Sequence, residues 1–333
     1  MALGDTRSDP ETLDPTVDEA IAVTAAEFEA LAPPPLRPEV GHPMRRLPRV
    51  ASVIVVVISI VLLWEGAKFV AGDPWKTESL LGTGIALEYR PPFSVSGVSD
   101  LNLPHLWDIA FEFGAVDANG TTTAQGLLVA ALFTLRNAVV GFAIGTIIGL
   151  GLAILIVHVR SLERSIVPLL VASQTIPIIA IAPLIVIGLR ADWLGVAVVT
   201  SYLTFFPVTI AAIRGLRAYD PRAYELMVSY AAGRRAILWK LRLPSSTAYL
   251  FTAFKIAATA SIVGAIVGEL PSGMSDGLAR QILTGMQYYT LGPSYLWASI
   301  VVCSILGIGA FVSVSLIERQ VMRGRVPEWN VTA

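Results

Sequence analysis

Asn137-Ala-Val-Val-Gly-Phe-Ala-Ile-Gly-Thr-Ile-Ile-Gly-Leu-Gly-Leu-Ala-Ile-Leu-Ile-Val-His158 runs for 22 residues without an Asp, Glu, Lys or Arg. As a helix it measures about 33 Å, enough to cross a bilayer hydrocarbon core of about 30 Å. Gly141, Gly145 and Gly149 recur at every fourth position, so they share one helix face and open it to close approach by a neighbour. The apolar pattern runs back from this segment through Leu127 to Leu135, past Arg136, whose long side chain can snorkel. Outward along the chain, comparable stretches lie near 50–70, 166–189, 193–213, 247–269 and 294–317. Composition agrees: of 333 residues 54% are hydrophobic and 15% charged, against about 25% charged in soluble domains. The fold class expected is an all-α membrane protein with six transmembrane helices.

The basic residues orient these spans. Seventeen of the 24 Lys and Arg fall on one side: the N-terminal 49 residues, the turn with Arg160 and Arg164, the loop from Arg214 to Arg242, and the tail from Arg319. Positive-inside bias makes that side cytoplasmic and puts both termini there. The single cysteine, Cys303, excludes a disulfide framework, and His42, His105 and His158 are too scattered for a metal site. No constellation suggests catalysis, and nothing supports nucleic-acid binding. Without a Gly-x-x-x-x-Gly-Lys phosphate loop the chain is not expected to hydrolyse ATP by itself.

The organisation expected is an acidic, disordered tail over 1–45, a first transmembrane helix over 46–71, and an external loop over 72–124. A five-helix core follows over 125–317, with a cytoplasmic loop at 214–246, and then a cytoplasmic tail over 318–333. The external loop holds seven acids and a candidate amphipathic helix, Leu103 to Phe113. In the cytoplasmic loop, Asp220-Pro221 reads as an N-cap followed by proline at the first helical position. A helix is expected from there to Ala232, a break at Gly233, and a second helix from Arg234 to Leu243, closed by Pro244.

The spacing within that loop carries a resemblance. Glu225-Leu-Met-Val-Ser-Tyr-Ala231-Ala-Gly-Arg-Arg-Ala-Ile-Leu-Trp-Lys-Leu-Arg-Leu-Pro244 resembles the cytoplasmic signature of ABC importer permeases, Glu-Ala-Ala followed by a glycine and then Leu-Pro. Glu225 falls on the glutamate and Leu243-Pro244 on the Leu-Pro. Leu226 and Met227 stand for the two alanines and Ala231 for the glycine, which leaves Gly233 to supply the bend. Matching features extend over about 125–317, among them Thr134-Leu-Arg136, Ile176-Pro177, Ala182-Pro183-Leu184, Phe205-Phe206-Pro207 and Gly268-Glu269. Together they are similar to the nitrate, sulfonate and taurine branch of these permeases. Val267-Gly-Glu-Leu-Pro-Ser-Gly273 and Gln287-Tyr-Tyr289 look closer to members that carry riboflavin or thiamine-pyrimidine precursors.

The resemblance implies a type I importer permease in a bacterial inner membrane. It implies a second permease subunit, identical or related, two ATPase subunits that bind ATP and magnesium, and an extracytoplasmic solute-binding protein. This chain would hold no cofactor. Glu225, Tyr230, Ala231, Ala232, Gly233, Arg234, Arg235 and Pro244 would form the loop that couples to the ATPase.

Prolines at 168, 177 and 183 interrupt the third span, and each frees a backbone group that needs a partner or a wet cavity. Ser173, Gln174, Thr175 and Pro177 are therefore candidates for a translocation path, or for satisfying the kinked backbone. Glu269, at the outer end of the fifth span, is either a solvated helix end or part of an outer gate. As a gate it would favour neutral or zwitterionic cargo. Lys255 is expected to snorkel to the inner surface. The rival reading, a secondary transporter or channel without an ATPase, calls for ionisable groups deep in the spans, yet Lys255 is the only clear candidate and an inverted repeat is not evident.

Overall fold

A computed structural model describes residues 49–77, 87–116, 120–190, 192–274 and 276–323; the tail expected over 1–45 lies outside the described residues. Contacts divide the chain into two units, Met1–Val61 and Leu62–Ala333. The described part of the first is the opening of helix α1 (Arg49–Ala71). The architecture below is that of the second unit.

The end of α1 is tied to the segment that follows it. The ammonium of Lys68, 1% exposed, pairs with Asp100 and donates to the Leu103 carbonyl at 2.8 Å. Glu65 accepts from the Leu106 N–H at 2.8 Å and lies 2.8 Å from His105 Nδ1. A short antiparallel ladder, β1 (Trp75–Thr77) with β2 (Leu87–Tyr89), adds a little strand to an otherwise helical chain. Helix α2 (Leu106–Glu112) starts three residues later than the pattern suggests. Pro104 disfavours helical geometry at Leu103, and His105 is still extended as N-cap.

Helix α3 (Thr123–His158) is 36 residues long and opens on a capping box, in which the Thr122 hydroxyl accepts from the Gln125 N–H. Its length, about 54 Å at 1.5 Å per residue, exceeds a bilayer core. Next come α4 (Arg160–Ser173), α5 (Ile178–Gly188) and α6 (Trp193–Gly215). The single span expected over 166–189 is thus two half-helices, α4 and α5, bent by 95° at a break of four residues. Pro177 is the cause: it bars Ile176 from the helical region and starts α5 as its N-cap.

Beyond α6 the chain forms α7 (Pro221–Ser229) and α8 (Arg234–Ile237), and then a π-helical turn at Leu238–Arg242 that runs straight into α9 (Leu243–Glu269). Pro244 therefore does not close a helix as expected. Its ring removes an internal N–H, and the wider turn before it, with the Leu243 N–H reaching back to the Leu238 carbonyl, accommodates the change. Helices α10 (Leu278–Gln287) and α11 (Pro293–Met322) complete the described chain. Among the described residues, five helices are long and apolar enough to cross a membrane, or six if the bent pair is taken as one span.

Helix α6 packs most extensively, against α3 on one side and α9 on the other. Lipid tails give apolar side chains little reason to leave them, so close packing of small residues supplies the attraction. The repeat read in α3 does this: a Cβ at Gly141 would sit 2.3 Å from Thr200, and one at Gly145 would sit 1.8 Å from the Thr204 hydroxyl. In α9, Gly268 meets Val196 in the same way. Lys255 of α9, expected to snorkel, instead pairs with Glu318 of α11 at 2.8 Å.

Candidate functional site

The loop between α6 and α9 is built from its own sequence. Asp220 Oδ1 accepts from the Arg222 N–H at 2.9 Å, and Pro221 takes the first helical position. At the other end of α7 the Ala231 N–H bonds to the Val228 carbonyl at 2.8 Å and the Ala232 N–H to the Met227 carbonyl at 2.9 Å. This pair of bonds is the Schellman closure, which needs a left-handed residue after the cap. Ala231 is that residue, at φ 52°. The expectation that Gly233 supplies the bend is corrected: Gly233 has φ −67° and serves as N-cap of α8. The turn keeps its place although an alanine occupies it.

The base of the loop is pinned to the helices. Arg217 makes two bonds to the Glu163 carboxylate, 2.6 and 2.7 Å, and Arg242 lies over the rings of Tyr219 and Tyr224 at 5.2 and 6.0 Å. Ile237 is buried, and a cavity of about 190 Å³ opens beside it, lined by His158, Tyr224, Arg234 and Arg242. The tip is the reverse. Tyr230 is 80% exposed, Leu226 and Val228 are exposed beside it, and Glu225, Arg234 and Arg235 stand in the open. An ordered bend with an apolar tip and a charged rim has the composition of a docking element.

At the break between α4 and α5, the Ser173 hydroxyl donates to the Leu170 carbonyl and that of Thr175 to the Ala172 carbonyl, both at 2.7 Å. Tyr202 of α6 donates to the Ser173 carbonyl. These bonds satisfy the frayed end of α4. Gln174 is half-buried, and its amide donates to the Ser173 hydroxyl at 3.5 Å. A groove of about 540 Å³ between α6 and α9, lined by Pro207, Ile210, Arg214, Tyr249 and Thr252, is a feature that sequence reading did not find.

Glu269 is not a solvated helix end. It is 5% exposed, and it accepts from the Thr134 hydroxyl at 2.9 Å and from the Asn137 amide at 3.1 Å. The Ala279 backbone N–H of α10 also reaches it. Thr134 in turn accepts from the Leu278 N–H at 2.9 Å. Hydropathy marks Asn137 only as the start of a span. Its signal is nevertheless present, since Thr134 and Asn137 are three residues apart and so share a helix face within an apolar run.

Three separate places thus emerge: the exposed loop, the broken span and the buried carboxylate. Residues 141–323 match the family model of binding-protein-dependent transport system inner membrane components. The formylaminopyrimidine transport permease protein of Halalkalibacterium halodurans is 34% identical over 188 residues, 56% of this chain and 73% of that protein. The riboflavin transport system permease protein of Chloroflexus aurantiacus is 28% identical over 167 residues, 50% of this chain and 61% of that protein. A predominantly helical membrane chain with an ordered loop at the signature position, matched over more than half its length, belongs to the binding-protein-dependent inner membrane components and is the permease subunit of an ABC importer.

Proposed function

We propose that the α7–α8 loop is the coupling element of this permease and that residues 225–235 enter a groove on an ATPase subunit. The observation that carries this reading is the Schellman bend at Ala231, which presents the exposed Tyr230 tip on a pinned base. A floppy loop binds without transmitting force, whereas a pinned one transfers a differential contact to the helices behind it. The assembly would hold two ATPases, a second copy of this chain or a related permease, and an external solute-binding protein. The partners would bind ATP and magnesium, and this chain would supply no catalytic group. The basic loop faces the cytoplasm, as do both termini, on the positive-inside rule.

Closure of the ATPases would push α7 and α8, and through Pro244 the push would pass directly into α9, because no break separates α8 from α9. The largely apolar groove between α6 and α9 and the break at Ser173, Gln174, Thr175 and Pro177 are the openings through which a solute would pass. Since the Glu269 carboxylate is turned into protein, it gives no ground for choosing cargo by charge. The cargo class rests on the relatives: a pyrimidine or flavin type of nitrogen heterocycle.

The test is uptake of radiolabelled formylaminopyrimidine and of riboflavin by cells carrying the complete transporter. Wild type is expected to take up one of them. Glu225→Lys, which reverses a charge at the rim of the docking surface, is expected to lower that uptake about tenfold or more at equal membrane abundance. Normal uptake by Glu225→Lys would refute the coupling role, and uptake of neither solute would refute the cargo class.

A further inference from the structure

We infer that Glu269 is a positioning residue: a latch that holds helix α10 to α3 and α9, so that the outer ends of these spans and the helix between them move as one body. This deepens the permease reading, but its structural half stands without an ATPase.

The carboxylate is buried, and among the described residues its hydrogen-bond partners are the Thr134 hydroxyl, the Asn137 amide and the Ala279 N–H, all donors. Thr134 extends the connection by accepting from the Leu278 N–H. Two of the unsatisfied N–H groups at the start of α10 are thus taken up, one directly and one through Thr134. The other side of the latch is Gly277, at φ 110°, where a Cβ would meet Glu269 Oε2 at 2.5 Å. Only glycine lets the chain pass that close to the carboxylate.

What the latch positions is a wall. Gln281 and Thr284 of α10, with Tyr288 at its C-cap, face Thr122, Thr123 and Gly126 at the start of α3 across an open cavity of about 440 Å³. On the far side, Gly285 lets α10 pack against Leu296 of α11. An α10 freed at its N-terminus would pivot on that contact and change the cavity. A carboxylate acting on cargo through its charge would instead need to face the cavity, and this one faces protein.

The two roles separate on substitution. In Glu269→Gln the amide oxygen still accepts from Thr134, and Asn137 can turn its own oxygen toward the new amide group, so the latch survives without charge. Glu269→Ala removes it, and Gly277→Ala displaces it from the opposite side. Spin labels on Gly126→Cys and Thr284→Cys, in a Cys303→Ala background in lipid nanodiscs, report the separation of α3 and α10. Wild type and Glu269→Gln are expected to give one narrow distance, and Glu269→Ala and Gly277→Ala a broad one. Uptake of whichever of formylaminopyrimidine and riboflavin is transported should be within about twofold of wild type for Glu269→Gln, since its bonds are kept. It should be largely lost for the two alanine variants.

A narrow distance in both alanine variants would overturn the latch. A narrow distance with lost uptake in Glu269→Gln would show that the charge itself acts, and would overturn the positioning role. If neither solute is carried, the distances alone decide the latch. If Glu269→Ala does not reach the membrane, Gly277→Ala, with Glu269→Gln as its control, decides it.

Discussion

Ala231 holds a left-handed conformation that costs an alanine about 1 kcal/mol relative to glycine. Ala231→Gly is therefore expected to stabilise the loop by about that amount and to leave uptake intact. Ala231→Val, with a branched Cβ in the same backbone region, is expected to destabilise the loop and to weaken retention of the ATPase. Thermal melting of the purified complex and uptake by cells check both. The sequence carried half of this site. The distance from Glu225 to Leu243-Pro244 located the turn, but composition favoured Gly233 as the bend, and only the backbone shows that the Schellman bonds select Ala231.

Asp108 and Glu112 on α2 give a pH prediction at the same scale. Burial pushes both carboxyls above their ordinary range; His105 and Thr123 respectively oppose the shift. With the folded value raised, the folded state binds more protons than the unfolded one between the two values. Stability of the external segment is thus greatest below the ordinary carboxylate range and declines as pH rises through the raised values. Asp108→Asn with Glu112→Gln should flatten that decline, measured as the melting temperature of the reconstituted permease across the acidic range. A decline of unchanged steepness would assign it elsewhere.

At the scale of elements, the glycine face of α3 makes a sharp comparison. Gly145→Ala drives a Cβ into the Thr204 hydroxyl and should cost about 1–3 kcal/mol through overpacking against α6. Gly151→Ala, on the same helix, meets nothing within 4 Å and should be neutral or slightly stabilising. Denaturant unfolding of the two variants in mild detergent checks the difference. This packing was readable because a four-residue repeat has one physical meaning in an apolar helix. The 95° bend between α4 and α5 was readable only as a break at Pro177, since proline marks where a helix is interrupted and not the angle between the two halves. The π turn ahead of Pro244 was not readable: proline announces a disruption, and tertiary packing decides whether the helix stops or widens.

For the whole molecule, the spans were legible from hydropathy alone because a bilayer fixes how many apolar residues a helix must have. The long-range node at Glu269 was not, since the 135 residues separating it from Thr134 leave no local pattern. At this scale the pinned loop joins the permease to an ATPase. The most direct measurement is affinity purification of the tagged chain from its native membrane in mild detergent, with and without replacement of Tyr230–Arg235 by a flexible Gly-Ser linker. An ATPase subunit is expected to accompany the wild-type chain and to be absent from the linker variant, although equal amounts of both permeases reach the membrane. An ATPase retained by the linker variant, or none recovered with the wild-type chain, would contradict it.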